Sequence, residues 1–283
     1  VRPLAFLTDR LRPTGTHDDR LAVAPLAALG LDVRFVPWEE AAPGSHWAGW
    51  VIRSPWNYYR SPSAFLGALD PLSPLLNPLA AVRWNSDKRY LIELAEAGAP
   101  IIPSVVAPVD ALADVAESTG WERLVVKPCV SAAGEGVRRL HADALGEAET
   151  FAGLPDGDYL VQPFLDDVVD AGEVSAIYFG GEFSHALRKR PAPGGFLVHE
   201  EHGGSVEPTD IGSALVAEGE AVLRACPAGC AYARVDWIET ARGPRLVEVE
   251  LIEPELFLRI HPEAPARFAA AIDDHLRARS GAR

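Results

Sequence analysis

The 283-residue chain has a formal net charge of −14 and is 48% apolar and 23% charged, the profile of a globular protein with a sizeable core. The acidic excess argues against broad nucleic-acid or anionic-membrane binding, which need a positive field. No apolar run approaches the roughly 20 residues that a membrane-spanning helix takes. Three cysteines, Cys129, Cys226 and Cys230, are an odd number and do not suggest a disulfide framework, and no second ligand pair accompanies Cys226 and Cys230 for structural zinc. The stretch up to Asp9 reads as a short strand, too brief for a signal peptide, so a cytoplasmic location is expected. A homo-oligomeric state is left open.

The first 80 residues alternate strand-like and helix-like segments. Residues 4–8 form a short apolar strand, and residues 19–29 place Leu21, Leu26 and Leu29 at near-helical spacing before Gly30. Val33, Phe35 and Val36 mark a second strand, residues 50–52 a third, and residues 63–69 a short helix. Such alternation predicts a parallel sheet with helices on its faces. The proline-rich stretch 71–78 breaks the pattern and marks the first boundary.

From Asn85, an N-cap candidate, a helix is expected through Lys88, Leu91 and Leu94 to Gly98. Strands are expected at 101–106, 124–127, 137–140 and 158–164, with helices at 110–117 and around 142–151. Residues 173–179 and 182–190 read as a hairpin turning on Gly180-Gly181. A helix at 211–225, a second hairpin at 232–239 and 245–251, and a C-terminal helix at 264–277 complete the reading.

The chain holds 23 arginines but only three lysines, Lys88, Lys127 and Lys189. Lys is a compact point charge suited to a phosphate, whereas Arg is a broad planar fork, so the three exceptions invite a chemical reason. Lys127 ends an apolar strand and precedes a small-residue loop, Ser131-Ala132-Ala133-Gly134-Glu135-Gly136, that can fold over phosphates with backbone N–H groups. An ordinary turn would explain that loop equally well. In the first hairpin, alternation puts His185, Leu187 and Lys189 on one face and Arg188 and Arg190 on the other.

The second hairpin carries the sharpest signal. With Ala241-Arg242-Gly243 as a three-residue loop, Thr240 pairs with Pro244, Asp236 lies opposite Glu248 and Arg234 opposite Glu250. Val235, Trp237, Val247 and Val249 then face the core. Opposed carboxylates repel unless a cation lies between them, and hard oxygen donors at this density suit Mg²⁺. The bland alternative is an acidic sheet face partly neutralised by Arg234. His199-Glu200-Glu201-His202 lacks the four-residue spacing of a helical zinc-protease motif. The seven tryptophans read as packing residues, with Trp56 the exception as a pocket wall.

Taken in order, these segments resemble the ATP-grasp superfamily, in its glutathione-synthetase and ribosomal-protein-glutamate-ligase branch, over roughly residues 84–260. The resemblance implies an α/β fold (α+β in its C-terminal part) in which a Rossmann-like pre-ATP-grasp domain at 1–84 precedes the ATP-grasp fold. That fold would comprise a central subdomain with a flexible loop at 85–157 and a C-terminal subdomain with the metal site at 158–283. It implies ATP and one or two Mg²⁺ ions as cofactors. Lys88, Lys127, Ser131, Gly134 and Gly136 would meet the phosphates, Gln162, Phe164 and Leu165 the adenine, and Glu173 the ribose. Lys189 would meet the γ-phosphate, and Asp236, Glu248 and Glu250 the metal; the family usually has Asn where Glu250 stands. Arg234 and Lys189 are the catalytic candidates.

The implied activity makes an acyl phosphate from a small amino-acid-like carboxylate, which an amine nitrogen then attacks. Arg53-Ser54-Pro55-Trp56-Asn57-Tyr58 and residues 248–256 resemble the subset of O-ureido-D-serine cyclo-ligases, whose acceptor nitrogen is internal and whose product, D-cycloserine, is a five-membered ring. Arg53, Arg234 and Arg259 are candidate carboxylate clamps, Glu253 and Glu255 candidate amine ligands, and Trp56 a pocket wall. Surface ion pairing is the competing reading for these charged residues. An intermolecular ligase making a dipeptide or modifying a protein, and a non-catalytic ATP-binding regulator, remain the alternatives. The absent glycine fingerprint opposes a dinucleotide-dependent oxidoreductase.

Overall fold

The structure, a computed structural model, describes residues 1–132, 134–145, 154, 156–198, 200 and 203–281. In chain order its elements are β1 (Arg2–Thr8), α1 (His17–Leu21), α2 (Val23–Ala28), β2 (Leu31–Pro37), β3 (Gly49–Ser54), α3 (Pro62–Leu69), α4 (Leu79–Asn85), α5 (Tyr90–Glu96), β4 (Val105–Pro108) and α6 (Leu112–Thr119). Then follow β5 (Arg123–Pro128), β6 (Arg138–His141), β7 (Asp158–Pro163), α7 (Asp167–Asp170), β8 (Glu173–Phe179), β9 (Glu182–Arg190) and β10 (Ser205–Thr209). The last are α8 (Ser213–Ala225), β11 (Tyr232–Thr240), β12 (Gly243–Glu250) and α9 (Ala264–Gly281).

Among the described residues the strands form three sheets: a parallel β2-β1-β3, an antiparallel β4-β7-β5-β6 and an antiparallel β10-β9-β8-β11-β12. The run Leu4–Leu7 has no polar residue because β1 is central and covered on both faces. Leu4 and Phe6 face Leu26, Phe268 and Ile272, and Ala5 and Leu7 face Trp50, Phe65 and Leu69. Helix α9 also packs on Phe179 and Tyr232 of the five-stranded sheet, so the two ends of the chain share one core. The strand at Asp158–Pro163, read from sequence as opening the third unit, pairs with β4 and β5 in the second sheet.

Two local expectations are corrected. The predicted helix at 19–29 is two helices meeting at Ala22. Pro25 has no N–H to give Leu21, and its ring clashes with that carbonyl, so a continuous helix is broken there. Asn85 is not an N-cap but the last residue of α4, and Lys88 lies between α4 and α5 rather than on a helix. The buried Asn85 amide serves the sheet instead, donating to Val249 O at 2.7 Å and accepting from Leu251 N at 2.8 Å. The helix expected around 142–151 lies partly outside the described residues, which show one short turn at Ala142–Ala144.

The Gly180-Gly181 turn joins β8 and β9 as predicted, with both glycines at positive φ. Gly172, at φ 82°, has no room for a side chain, since a Cβ would come 2.4 Å from Lys189 O. That close approach sets Glu173 directly opposite Lys189.

His185 on β9 is buried, its Nε2 3.0 Å from Leu256 O and its Nδ1 3.0 Å from Ser184 Oγ. Burial pushes its pKa down from 6.5 to about 4. The folded state thus binds fewer protons than the unfolded chain between these values, and stability falls as pH drops through that window, by up to about 3 kcal/mol. Denaturant unfolding of the wild type between pH 6.5 and 5 should show this slope, and His185→Gln should flatten it; equal slopes would refute the assignment.

Candidate active site

The predicted acidic hairpin is the β11–β12 pair, but its turn is one residue shorter than expected. Thr240 pairs with Gly243, leaving Ala241-Arg242 as the loop. Continued straight, that register would put Asp236 opposite Val247 and turn Glu248 and Glu250 to the other face, because a one-residue slip reverses every side chain. A β-bulge restores the arrangement. Trp237 pairs with Leu246, and beyond the shift Asp236 pairs with Glu248 and Arg234 with Glu250. Val247, the extra residue, does not join Val235, Trp237 and Val249 in the core behind the sheet as expected. It packs with Ile238 and Phe164 along a cleft.

That cleft is a cavity of about 140 Å³ between the four- and five-stranded sheets. Lys88, Lys127, Ser131, Gly134, Gln162, Phe164, Leu165, Glu173, Lys189, Arg234, Asp236, Glu248 and Glu250 all line it, and of the predicted nucleotide residues only Gly136 does not. Four basic and five acidic side chains share the lining, a balance that favours a ligand bearing both signs over a simple anion. Glu173 meets Lys189 Nζ at 2.5 Å, and Lys189 lies 3.5 Å from Asp236. Arg234 forks onto Asp236 at 2.9 to 3.1 Å and also donates to Glu250, while Ser175 Oγ donates to Asp236 at 2.6 Å. Lys88 Nζ lies 3.1 Å from Glu248 and donates to Ser131 O, also at 3.1 Å, joining the glycine loop to the hairpin.

Burial opposes every one of these charges, and the neighbours decide the outcome. Arg234 and Lys189 outweigh it at Asp236 and hold that carboxyl well below the ordinary range. At Glu250 burial wins over Arg234 and pushes the pKa up to about 7, and burial together with Glu250 raises Glu253. Lys127 is lowered by burial with Glu248 acting against it, and among the described residues it has no carboxylate within ion-pair distance. Asp236, Glu248 and Glu250 each offer a carboxylate oxygen, all within 4.8 Å of one another, and such hard donors fit a divalent cation of the Mg²⁺ type.

A second cavity of about 70 Å³ adjoins the first and shares Lys189, Arg234, Glu250 and Glu253 with it. Trp56, Glu253 and Glu255 line it, with Glu200 and Phe257. Trp56 donates to Glu253 O at 3.3 Å, and Arg12 stacks on its ring at 4.5 Å. Arg259 stands behind the wall, paired with Glu255, Glu200 and Asp18. The Arg53 carboxylate clamp is corrected: Arg53 lines neither cavity. It is buried, donating to Asp19 Oδ1 and to Pro254 O at 3.0 Å each, and so anchors the segment that carries Glu253 and Glu255. A motif shows which residue occurs, and the depth of Arg53 depends on Asp19, 34 positions away.

Sequence reasoning missed two walls. Phe196, Leu197 and Val198 close the first cavity, and Arg139 lies over both Phe164 and Phe196. Their apolar run is too short for any periodicity. Phe257 takes a left-handed backbone (φ 48°) to turn its ring into the second cavity, under Arg259 at 5.0 Å. His199, Glu201 and His202 lie outside the described residues.

Residues 4–77 match the family described as the N-terminal domain of D-cycloserine synthetase DcsG. The cycloserine biosynthesis protein DcsG of Streptomyces lavendulae is 30% identical over 97% of this chain and 99% of its own length. The chain belongs to the DcsG family of ATP-grasp ligases. The crystal structure of D-cycloserine synthetase DcsG superposes with a TM-score of 0.86 at 27% identity, over 97% of this chain and 99% of that one. The ATP-grasp ligase PsnB, solved with minimal precursor, Mg and ADP, matches with a TM-score of 0.66 at 16% identity, over 97% of this chain and 98% of that one, a likeness of fold alone. The predicted α/β ATP-grasp fold and ligase class hold. Among the described residues no helix is long and apolar enough to cross a membrane.

The anchoring role of Arg53 in this ligase is testable. Arg53→Met strands a buried Asp19, and losing one partner of such a pair costs about 3–5 kcal/mol. Thermal melting should therefore drop by roughly 10 °C. A melting point within 2 °C of wild type, on the order of 1 kcal/mol or less, would show that the pair carries no such load.

Proposed function

We propose that the larger cavity binds ATP with Mg²⁺ and the smaller one a zwitterionic amino acid, whose carboxylate is activated as an acyl phosphate and captured by its own side-chain nitrogen. Lys127 carries this reading. A lysine held in a charge-crowded cleft that has, among the described residues, no carboxylate partner suits an incoming phosphate, and the glycine loop next to it would supply backbone donors. Lys88 and Lys189 would complete the phosphate contacts. Gln162, Phe164 and Leu165 would hold the base with Phe196, and Glu173 the ribose. Asp236, Glu248 and Glu250 would hold one or two Mg²⁺ ions, which supply charge neutralisation for phosphoryl transfer.

In the smaller cavity Glu253 and Glu255 would receive the substrate ammonium, with Trp56 as a wall. Arg234 and Lys189, at the junction of the cavities, would hold the carboxylate in line with the γ-phosphoryl group and stabilise the charge that develops there. The carboxylate oxygen takes the phosphoryl group and ADP leaves. A nitrogen of the same molecule then attacks the acyl carbon and phosphate leaves. With O-ureido-D-serine, attack by the oxygen-bound nitrogen closes a five-membered ring, and water carries off the carbamoyl group as ammonia and carbon dioxide. The volume of about 70 Å³ favours such a small acceptor over a peptide.

Phosphate release should occur with O-ureido-D-serine alone, with ammonia appearing in step. A strict requirement for an added amine would overturn cyclisation and favour a dipeptide-type or protein-modifying ligase, and no turnover with any amino acid or peptide would favour a non-catalytic ATP binder. Lys127→Ala should lower ADP production at least about a hundredfold with the fold intact. Normal turnover by that variant would sink the nucleotide assignment.

A further inference from the structure

Among the described residues β12 is the outer strand of the five-stranded sheet, and no strand pairs with its free edge beside the carboxylates. The segment between the first and second sheets covers it with side chains. Asn77 donates to Leu251 O at 2.6 Å, and Asn85 brackets Val249 O and Leu251 N. Tyr90 takes both peptide groups of Val249, its hydroxyl donating to Val249 O at 3.0 Å and accepting from Val249 N at 2.9 Å. Val249 stands between Glu248 and Glu250, its own side chain buried in the core behind. The bulge at Val247 interrupts the regular ladder just before it. The hydroxyl thus stands in for a missing strand where β12 is least constrained.

The same short segment also holds the other side of the cleft. Lys88 N donates to Cys129 O at 2.8 Å, and Lys88 Nζ reaches both Ser131 O and Glu248. One hexapeptide, Asn85 to Tyr90, therefore sets the glycine loop and the carboxylate pair relative to each other.

We propose that Tyr90, supported by Asn85, is a positioning residue that fixes the spacing of Glu248 and Glu250 and thereby the affinity of the site for a divalent cation. This rests on the reading of Asp236, Glu248 and Glu250 as the metal ligands. Groups that orient ligating carboxylates typically change metal affinity by about 10- to 100-fold when removed. Tyr90→Phe keeps the ring against Trp84, 4.9 Å away, and removes only the hydroxyl.

The test is Mn²⁺ binding followed by electron paramagnetic resonance in the presence of ADP, on the full chain, with melting curves in metal-free buffer. Tyr90→Phe should weaken Mn²⁺ about tenfold while leaving metal-free ADP affinity unchanged. Tyr178→Phe, which loses a part-buried hydroxyl bond to Val216 O on the face away from the hairpin carboxylates, should bind Mn²⁺ as wild type does. If Glu248→Gln binds Mn²⁺ normally, the metal reading itself fails. If Glu248→Gln is impaired but Tyr90→Phe matches wild type, the positioning role is overturned and the hydroxyl serves stability alone. Should Tyr90→Phe not melt cooperatively, Asn85→Ser is titrated instead, with the same two outcomes.

Discussion

The buried pairing of Arg234 with Asp236 is the contact on which the rest of the cleft depends. Five carboxylates crowd one cavity, and burial alone would drive most of them to the neutral acid. Asp236 escapes because a guanidinium forks onto it, Ser175 donates to it and Lys189 stands nearby. With Asp236 ionised, Lys189 keeps its proton, and Glu173 acquires a cation to pair with. Glu248 is treated likewise by Lys88. Burial still outweighs Lys189 at Glu173, and Glu250 and Glu253 receive less compensation, so all three are raised and the acid side of the cavity is graded from firmly charged to near-neutral. Such a pattern lets a cation enter without first displacing a full complement of competing protons.

Much of this was legible in the sequence, though for uneven reasons. The oppositions of Asp236 with Glu248 and Arg234 with Glu250 follow from alternation along two strands. The reading assumed a three-residue loop, whereas the molecule uses a two-residue loop and a bulge, and the two differences cancel. A bulge leaves no mark in hydrophobic pattern beyond Val247 itself, an apolar residue equally at home in a core or a cleft. The lysines were legible because so few exist, but their convergence was not: Lys127 lies on β5 of the four-stranded sheet, Lys189 on β9 of the five-stranded sheet and Lys88 between α4 and α5, and they meet only across the cleft. Asn85 was misread because Asn before an apolar run is a common cap, and only the tertiary structure shows its amide spent on β12. Arg53 was misread for a related reason, since a motif cannot report depth.

Distant parts of the chain meet at the junction of the two cavities. Lys189 and Arg234 come from adjacent regions of the five-stranded sheet and line both spaces. Trp56 arrives from the loop after the third parallel strand, and Glu253 and Glu255 from the segment after β12. Arg53 ties these together through Pro254 O, while Tyr232 donates from β11 to Ile52 O. The loop after the parallel sheet therefore reaches both spaces, Tyr58 lining the larger cavity and Trp56 the smaller one.

The same geometry constrains how a cyclising reaction could stay free of hydrolysis. An acyl phosphate formed at Lys189 and Arg234 would lie where the two cavities join, walled by Val198 and, on the acceptor side, by Phe257 and Trp56. The junction is charged, lined by Lys189, Arg234, Glu250 and Glu253, so the protection would come from fast capture: an internal nitrogen is already at high effective concentration. A site that had to admit a second molecule would need an open path to that junction. Around the smaller cavity Arg259 pairs with Glu255, Glu200 and Asp18, and Arg12 stacks on Trp56. These contacts hold the walls of a space whose small volume is in keeping with the proposed intramolecular ring closure.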